Sequence, residues 1–448
     1  MSNPSAAAHL NNPKTVRAWY MFDWANSVYS LVITSAIFPT YYKSVATTGG
    51  SDYVSFFGYT IRNTSLYSYA LSFSFLIVAA ILPLLSGVAD YTGNKKTFMK
   101  MFVWTGGLAC MGLYFFDGVS MLEWAIFCSI LASIGYSGSL VFYDAFLPEI
   151  VTEDRFDETS AKGYAMGYYG SVILMVLCVV LTQIPGTFGL ENDAHAARVS
   201  FVLVGAWWIG FSFIPFLRLP HNPYNQKPSG NIWTMGYEEI RKVWNTLPTQ
   251  PDLKKFLFAF FFYNMGVQTV MYLAALFGTD VLKLESKQLI MTVLLIQLVG
   301  SVGAWLFAKL SRIKGNRFSL LTMIVIWVGI CVASYFITAA IQFYILAAIV
   351  GVVMGGIQAL SRATYSKLIP ESTIDHTSYF SFYDVTYNLS IVFGTFSYAL
   401  IDQITGNMRY SALSLAIYFV VGMLLLLKVR SAQIRKVYPV REPAGHFS

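Results

Sequence analysis

Twelve stretches of about 20 apolar residues recur along this chain, and a helix of that length is what crosses a bilayer core. In hydrocarbon every backbone N–H and C=O must find its partner inside the protein, so a crossing segment is a helix or part of a closed barrel. The runs are continuous rather than alternating in polarity, which favours helices over strands. Their approximate limits are 18–42, 64–89, 97–116, 121–146, 162–186, 197–218, 253–278, 287–310, 318–339, 341–361, 378–402 and 410–428. Composition agrees: 56% of the 448 residues are hydrophobic and 12% are charged, against about 25% charge in soluble domains. That balance excludes a soluble globule, a disordered chain, collagen and a disulfide-stapled module. The first apolar run is too long for a signal-peptide core and lacks a cleavage site, so it is expected to remain as a span.

Lysine and arginine orient such a bundle. On the twelve-span map one side receives only Lys43, Arg62, Arg198, Lys283, Lys287 and Arg409 of the 30 basic residues. The other side holds both termini, which are therefore expected in the cytoplasm. The net charge of +7 reads as an insertion signal and a contact with the lipid surface. Its basic loops are scattered and form no single stripe, so no nucleic-acid partner is expected. Cys110, Cys128, Cys178 and Cys331 lie singly inside apolar runs with no CxxC pair, and read as small packing residues.

The spans fall into two sets of six: residues 1–218, a connection at 219–252, and residues 253–448. The connection holds Pro220, Pro223 and Pro228. It then becomes amphipathic, with Asn231 as a cap and Ile232, Met235, Ile240, Val243, Trp244 and Leu247 mostly on one face. Glu238 and Glu239 sit early and Arg241 and Lys242 late, as the helix dipole prefers, so an interfacial helix is expected. The halves look related. Gly93-Asn94-Lys95 follows span 2 and Gly315-Asn316-Arg317 follows span 8. Leu147-Pro148-Glu149 ends span 4 and Ile369-Pro370-Glu371 ends span 10. Both pairs stand 222 positions apart at equivalent points, which argues for a duplicated six-span unit. Parallel six-span repeats about an axis along the membrane normal describe the major facilitator architecture, with solute held between the halves.

The loop Asp90-Tyr-Thr-Gly-Asn-Lys-Lys96 resembles the major facilitator signature between spans 2 and 3, with Asp90, Gly93, Lys95 and Lys96 matching. Ser86, Tyr91 and Asn94 depart from it. Three further stretches are more specific. Trp19-Tyr-Met-Phe-Asp-Trp-Ala-Asn-Ser-Val-Tyr29 opens span 1. Tyr143-Asp-Ala-Phe-Leu-Pro-Glu149 and Gly163-Tyr-Ala-Met-Gly-Tyr-Tyr-Gly170 bracket the turn from span 4 to span 5. Gly355-Gly-Ile-Gln-Ala-Leu-Ser-Arg362 closes span 10, with Phe380-Ser-Phe-Tyr-Asp384 beyond it. Together they resemble the vacuole-effluxer branch of the superfamily, whose fungal members are autophagy-related exporters of amino acids. The resemblance implies an all-α membrane protein of twelve helices in two pseudo-symmetric bundles. It further implies a secondary or facilitative transporter of a small polar solute, amino acids among the candidates, with export favoured. One departure is Asn388 in span 11, where a lysine is common in the family pattern.

Polar groups inside spans are costly, about 2.5–3.5 kcal/mol for a charge at the centre, so each needs a reason. Asp23 has Asn26 and Ser27 on its helix face, with Ser30 and Thr34 continuing it. It reads either as a solute-amine or proton site or as a contact with a neighbouring helix. Asp144 is expected to pair with Arg362 or Lys162 at a gate, or to form a surface-level salt bridge. Arg362 and Glu149 carry the same two readings. Asp384, beside Tyr383 and Tyr387, either relays a proton or packs at the inner gate. Asn264 and Gln268 share a face of span 7, while Gln297 and Gln358 lie in spans 8 and 10. Such amides bridge helices or contact solute. Solute contacts are expected from Asp23, Asn26, Tyr164, Tyr168, Asn264, Gln268, Gln297 and Gln358. Proton coupling is expected from Asp23, Asp144 or Asp384. A conformational latch is expected from Asp90, Gly93, Lys95, Lys96, Glu149 and Arg362. Gly163 and Gly167 form a GxxxG face expected to pack closely and let the bundles rock.

The chain has no GxxxxGK[ST], so primary pumping by ATP is disfavoured, and no HExxH. His9, His195, His221, His376 and His446 fall in loops or tails, so neither metal nor cofactor is expected. Gly135-Tyr-Ser-Gly138 matches the spacing of membrane serine proteases but has no mid-span histidine to serve as base. An enzyme is not expected. The rival class is a transporter-like sensor, scaffold or lipid-handling protein without flux. The expected form is a monomer in the cell membrane.

Overall fold

Asn12 opens the first rod: its side chain accepts from the Lys14 backbone N–H at 2.9 Å, and Pro13 takes a position where a missing N–H costs nothing. This computed structural model describes residues 10–47, 51, 53–220, 231–370 and 373–430. His9, His221, His446, Pro223, Pro228, Glu371 and the tail beyond 430 lie outside the described residues, as do the side chains of Ile232, Met235, Glu239 and Lys287.

Helix α1 (Pro13–Val28) runs into a π-helical stretch, Tyr29–Ala36, and then into α2 (Ile37–Ala46). The wider turn sets Ser35 over Ser30, whose carbonyl accepts from the Ser35 hydroxyl at 2.8 Å. An α-helix would have turned residue 35 away. A two-stranded hairpin follows, β1 (Tyr53–Phe56) with β2 (Tyr59–Arg62), register Val54 to Ile61. Phe57 and Gly58, both at positive φ (47° and 83°), make its turn. The hairpin is a correction to an all-helical expectation; a run of eight residues is too short to stand out among apolar spans.

The remaining elements are helical. They are α3 (Asn63–Thr92), α4 (Lys95–Gly112), α5 (Leu122–Asp144), the short α6 (Leu147–Ile150), α7 (Phe156–Gln183), α8 (Asp193–Arg218) and α9 (Ile232–Thr246). After α9 come α10 (Pro251–Leu282), α11 (Ser286–Lys314), α12 (Asn316–Phe336), α13 (Ala340–Leu368), α14 (His376–Thr405) and α15 (Met408–Leu426). Several overrun the predicted limits by a turn at their polar ends, where charged side chains still favour helix. Among the described residues nine helices are long and apolar enough to cross a membrane, so this is a multi-pass membrane protein. The runs expected at 18–42, 253–278 and 378–402 are outside that nine. They correspond to α1–α2, α10 and α14, which carry buried Asp23, Asn264 and Asp384.

Successive rods reverse direction. One face of the bundle carries α9, the α3–α4 and α11–α12 turns and the start of α14, and is here called the linker face. The other carries the hairpin and is called the far face. Helices α1, α3, α4, α5, α7 and α8 pack on one another, as do α10 to α15. Across the two sets α7 meets α11 and α13, while α14 meets α3 and α5. Gly355 and Gly303 let α13 and α11 touch backbone to backbone: a Cβ on Gly355 would strike the Gly300 carbonyl and one on Gly303 the Val352 carbonyl. The GxxxG face packs closely, as expected. A Cβ on Gly163 would meet Asp23 and the Trp19 ring, and one on Gly167 would meet Ser27, so this face clamps α7 to α1 within one half. Helix α9 is partly covered by protein: Gly236 lies against the Leu84 carbonyl of α3, Val243 is buried, and the Trp244 ring sits 5.9 Å from Phe382. The four cysteines are free and buried.

Candidate functional site

Between the two sets of helices lies a cavity with about 150 Å³ of interior open to water-sized molecules. Helix α1 and its π-helical continuation supply Asp23, Asn26, Ser30 and Ser35 to its wall; α5 supplies Tyr136 and Asp144. Helix α7 adds Tyr164 and Tyr168, and from the other half come Gln268, Tyr272, Gln297, Gln358 and Arg362. Tyr383, Asp384 and Tyr387 of α14 complete it.

Arg362 is the centre of its linker-face end, only 1% exposed. Its Nη1 donates to Asp144 Oδ1 at 2.9 Å, and Nη2 lies 3.4 Å from Asp23 Oδ2. Nε donates to Ser160 Oγ at 2.9 Å and Nη2 to the Ser160 carbonyl at 3.0 Å. The guanidinium also sits 4.3 Å from the Tyr164 ring centre and 4.7 Å from that of Trp19. Burying a charge this deeply is tenable only with such complete pairing. Asp23 is held in turn by the Tyr143 hydroxyl, which donates at 2.6 Å. The Tyr143 ring stacks on Trp19 at 4.5 Å, and the Trp19 indole donates to the Tyr143 carbonyl.

Asp384 is equally buried but differently served. Asn388, one turn on, donates from Nδ2 to Asp384 Oδ2 at 2.7 Å, and among the described residues no cation pairs with it. The Tyr168 hydroxyl donates to Gln358 Oε1 at 2.9 Å across the halves. Asn26 Oδ1 and Gln297 Oε1 are buried with no hydrogen-bond partner among the described residues. Towards the far face the rings of Phe75 and Tyr272 meet edge to face at 6.4 Å.

Of the expected solute contacts, seven line this cavity and Asn264 does not. Its Nδ2 donates to Ser390 Oγ at 2.6 Å, and its Oδ1 accepts from Gln268 at 3.2 Å. Sharing a helix face with Gln268 was not enough, because the one-turn step rotates it toward α14. Asp144 pairs with Arg362; Lys162 pairs with Glu158 at 2.6 Å. Arg362 is far from a surface-level group, contrary to one expectation.

The residues expected to form a latch divide. Asp90 crosses between the halves, accepting from the backbone N–H groups of Thr377 at 3.1 Å and Ser378 at 2.6 Å. These are orphan donors at the positive end of α14, a favourable seat for a carboxylate. Gly93, at φ 67°, caps α3 in the left-handed region. Lys95 pairs with Glu149, and Lys96 donates to the carbonyl of Leu219 at the start of the connection at 2.9 Å, so neither reaches the second half.

A second crossing escaped sequence reasoning. Asp157 of α7 accepts from Ser311 Oγ at 2.9 Å, Asn316 Nδ2 at 2.7 Å and Lys367 Nζ at 2.8 Å, all from the other half. Beside it Arg312 pairs with Glu158 at 2.6 Å, and the Ser160 hydroxyl donates to the Ala359 carbonyl at 2.8 Å. The repeated Gly-Asn-Lys/Arg turn marked Asn316, but nothing local marked Asp157 as its partner. Tyr136 and Tyr272 were also missed; the first sits within the Gly135-Tyr-Ser-Gly138 run.

The chain matches, over residues 11–436, the family described as "Vacuole effluxer Atg22 like". It is 33% identical over 415 residues to the uncharacterised MFS-type transporter YxiO of Bacillus subtilis (strain 168), covering 92% of this chain and 94% of that one. It is 23% identical over 472 residues to autophagy-related protein 22 of Yarrowia lipolytica (strain CLIB 122 / E 150), covering 86% and 78%. Among solved structures it resembles the MFS transporter FucP in the outward conformation, with a TM-score of 0.69 at 12% identity over 93% of this chain and 98% of that one. It resembles the proton:xylose symporter XylE equally, with a TM-score of 0.69 at 12% identity over 94% and 96%. These likenesses show the major facilitator fold.

Proposed function

Since the chain belongs to the Atg22-like vacuole effluxer family and has the major facilitator fold, we propose that it moves a small polar solute, amino acids among them, by alternating access. The proposal takes all twelve long rods as membrane spans, grouped as residues 1–218 and 253–448 about the 219–252 connection. It takes the linker face as cytoplasmic, the protein as a monomer in the cell membrane, and export as the direction of flux.

One observation carries this reading: a polar cavity lies between the halves, and its linker-face end is closed by groups that reach from one half to the other. Arg362 to Asp144, Asp90 to α14, and Asp157 to Lys367 must all part for that end to open. Each is a charge-assisted contact whose partners can return to water when it breaks, so closure is reversible. On the far side, among the described residues, the halves meet at the aromatic contact of Phe75 with Tyr272. Solute enters from there, and engages Asp23, Asn26, Tyr164, Tyr168, Gln268, Gln297 and Gln358. The carboxylates of Asp384, Asp144 and Asp23 take or release the coupling proton as Arg362 changes partners. A buried carboxylate with no cation is the natural proton acceptor, which singles out Asp384.

Counterflow in proteoliposomes tests the proposal. Labelled amino acid should accumulate transiently against a preloaded unlabelled pool, and Asp23→Asn should slow it severely. A protein that binds solute yet never exchanges it would instead be a sensor or scaffold.

A further inference from the structure

Resting on the cavity being a solute site, we infer that it recognises its solute by an ammonium group and keeps no cation free for a carboxylate. Among the described residues Arg362 is the one cationic side chain on its wall, and all three guanidinium nitrogens already donate. A solute carboxylate would have to share the guanidinium with Asp144 and Asp23, which already balance its charge and hold the halves closed. Arg362 is therefore a clasp and not an anion receptor.

The rest of the wall is rich in acceptors and carries no other cation among the described residues. Asp384 is 8% exposed, and only Asn388 donates to its carboxylate among the described residues. Asn26 and Gln297, 1% and 8% exposed, present side-chain oxygens with no partner among the described residues. Tyr383 and Tyr387 flank Asp384, and Tyr272 lies on the neighbouring helix. An ammonium group has three donors and no acceptor, and it is drawn to carboxylates, amide oxygens and the faces of phenol rings. A carboxylate could accept from the phenol hydroxyls and amide N–H groups, but it would meet the field of three aspartates against one arginine. The site thus takes amino acids by their amino end, and takes the corresponding amines equally well.

Matched triplets test this on purified full-length protein. Phenylalanine, phenethylamine and phenylpropanoate form one triplet; valine, isobutylamine and isovalerate form a second. Binding is read by calorimetry and by the shift in melting temperature. The amino acid and the amine of at least one triplet should bind with similar affinity, and the acid should not. Asp384→Asn should weaken amine binding about tenfold or more, as loss of a charge-assisted contact does. Gln297→Met, which keeps every charge, should weaken it several-fold and serves as the second variant if Asp384→Asn does not fold. An acid that binds as tightly as its amine, or amine binding unchanged in the variant that folds, would overturn the inference while leaving a solute site standing. No binding by any of the six compounds would overturn both the inference and the solute-site reading beneath it.

Discussion

Arg362, near the end of α13, and Asp144, the last residue of α5, share a hydrogen bond of 2.9 Å although 218 positions separate them. The bond joins the two halves at equivalent points of the duplicated unit, where spans 4 and 10 end. It is buried, with Arg362 1% and the Asp144 side chain 13% exposed. An ion pair so placed contributes less to net stability than to deciding which arrangement of the halves is closed.

Arg362→Met should leave Asp23 and Asp144 buried without their cation. The expected cost is about 3–5 kcal/mol, typical of removing one partner from a buried pair. Thermal unfolding in detergent reads it as a melting point lower by several degrees. A variant melting with the parent would show that the clasp holds nothing.

Asp157→Ala should loosen the linker face. Ser160 is fully buried there, so a cysteine placed at that position is a reporter of opening. Labelling of Ser160→Cys by a water-soluble maleimide should be slow alone and several-fold faster with Asp157→Ala. Equal rates would remove Asp157 from any role in closure.

Gly355→Val should abolish folded protein, because its side chain would enter the Gly300 carbonyl. Gly210→Ala, on a helix face with nothing within 4 Å, should be tolerated and gain about 0.5–1 kcal/mol from the better helix former. Size-exclusion profiles and melting curves check both; the reverse pattern would contradict the α11–α13 packing.

Asn264→Ala and Gln358→Ala should separate structure from solute contact. The first loses a buried bond to Ser390, worth about 1–3 kcal/mol, with KM for solute unchanged. The second should raise KM several-fold while melting close to the parent. A raised KM for Asn264→Ala would return that residue to the solute site.

Asp384 is the proposed proton-coupling carboxylate, so Asp384→Asn should uncouple transport. At saturating solute the variant should still show counterflow but ignore an imposed pH gradient. Flux that still follows the gradient would move coupling to another carboxylate.

Much of the architecture was legible because bilayer physics leaves so little choice. The limits of α5 and α8 follow from where apolar runs end, and Gly93 marks a turn because its φ of 67° suits glycine best. Asp90 stood out by resemblance to a signature loop, yet its partners are backbone donors of α14 and carry no sequence signature. The π-helical stretch at Tyr29–Ala36 left no trace in composition, since a change of register alters where side chains point and not which residues are present.

The amino-acid order alone determined that long apolar rods form, where many of them turn, and which residues share a face of one rod. Helical periodicity accounts for that, because it is a local rule with a fixed angle per residue. It does not say how each rod is rotated against its neighbours. That angle is set by close packing among side chains from all the rods at once. Hence Gln268 faces the cavity while Asn264, one turn earlier, is bonded to Ser390. Hence also Arg362 meets Asp23 across 339 positions, an encounter only the assembled bundle could decide.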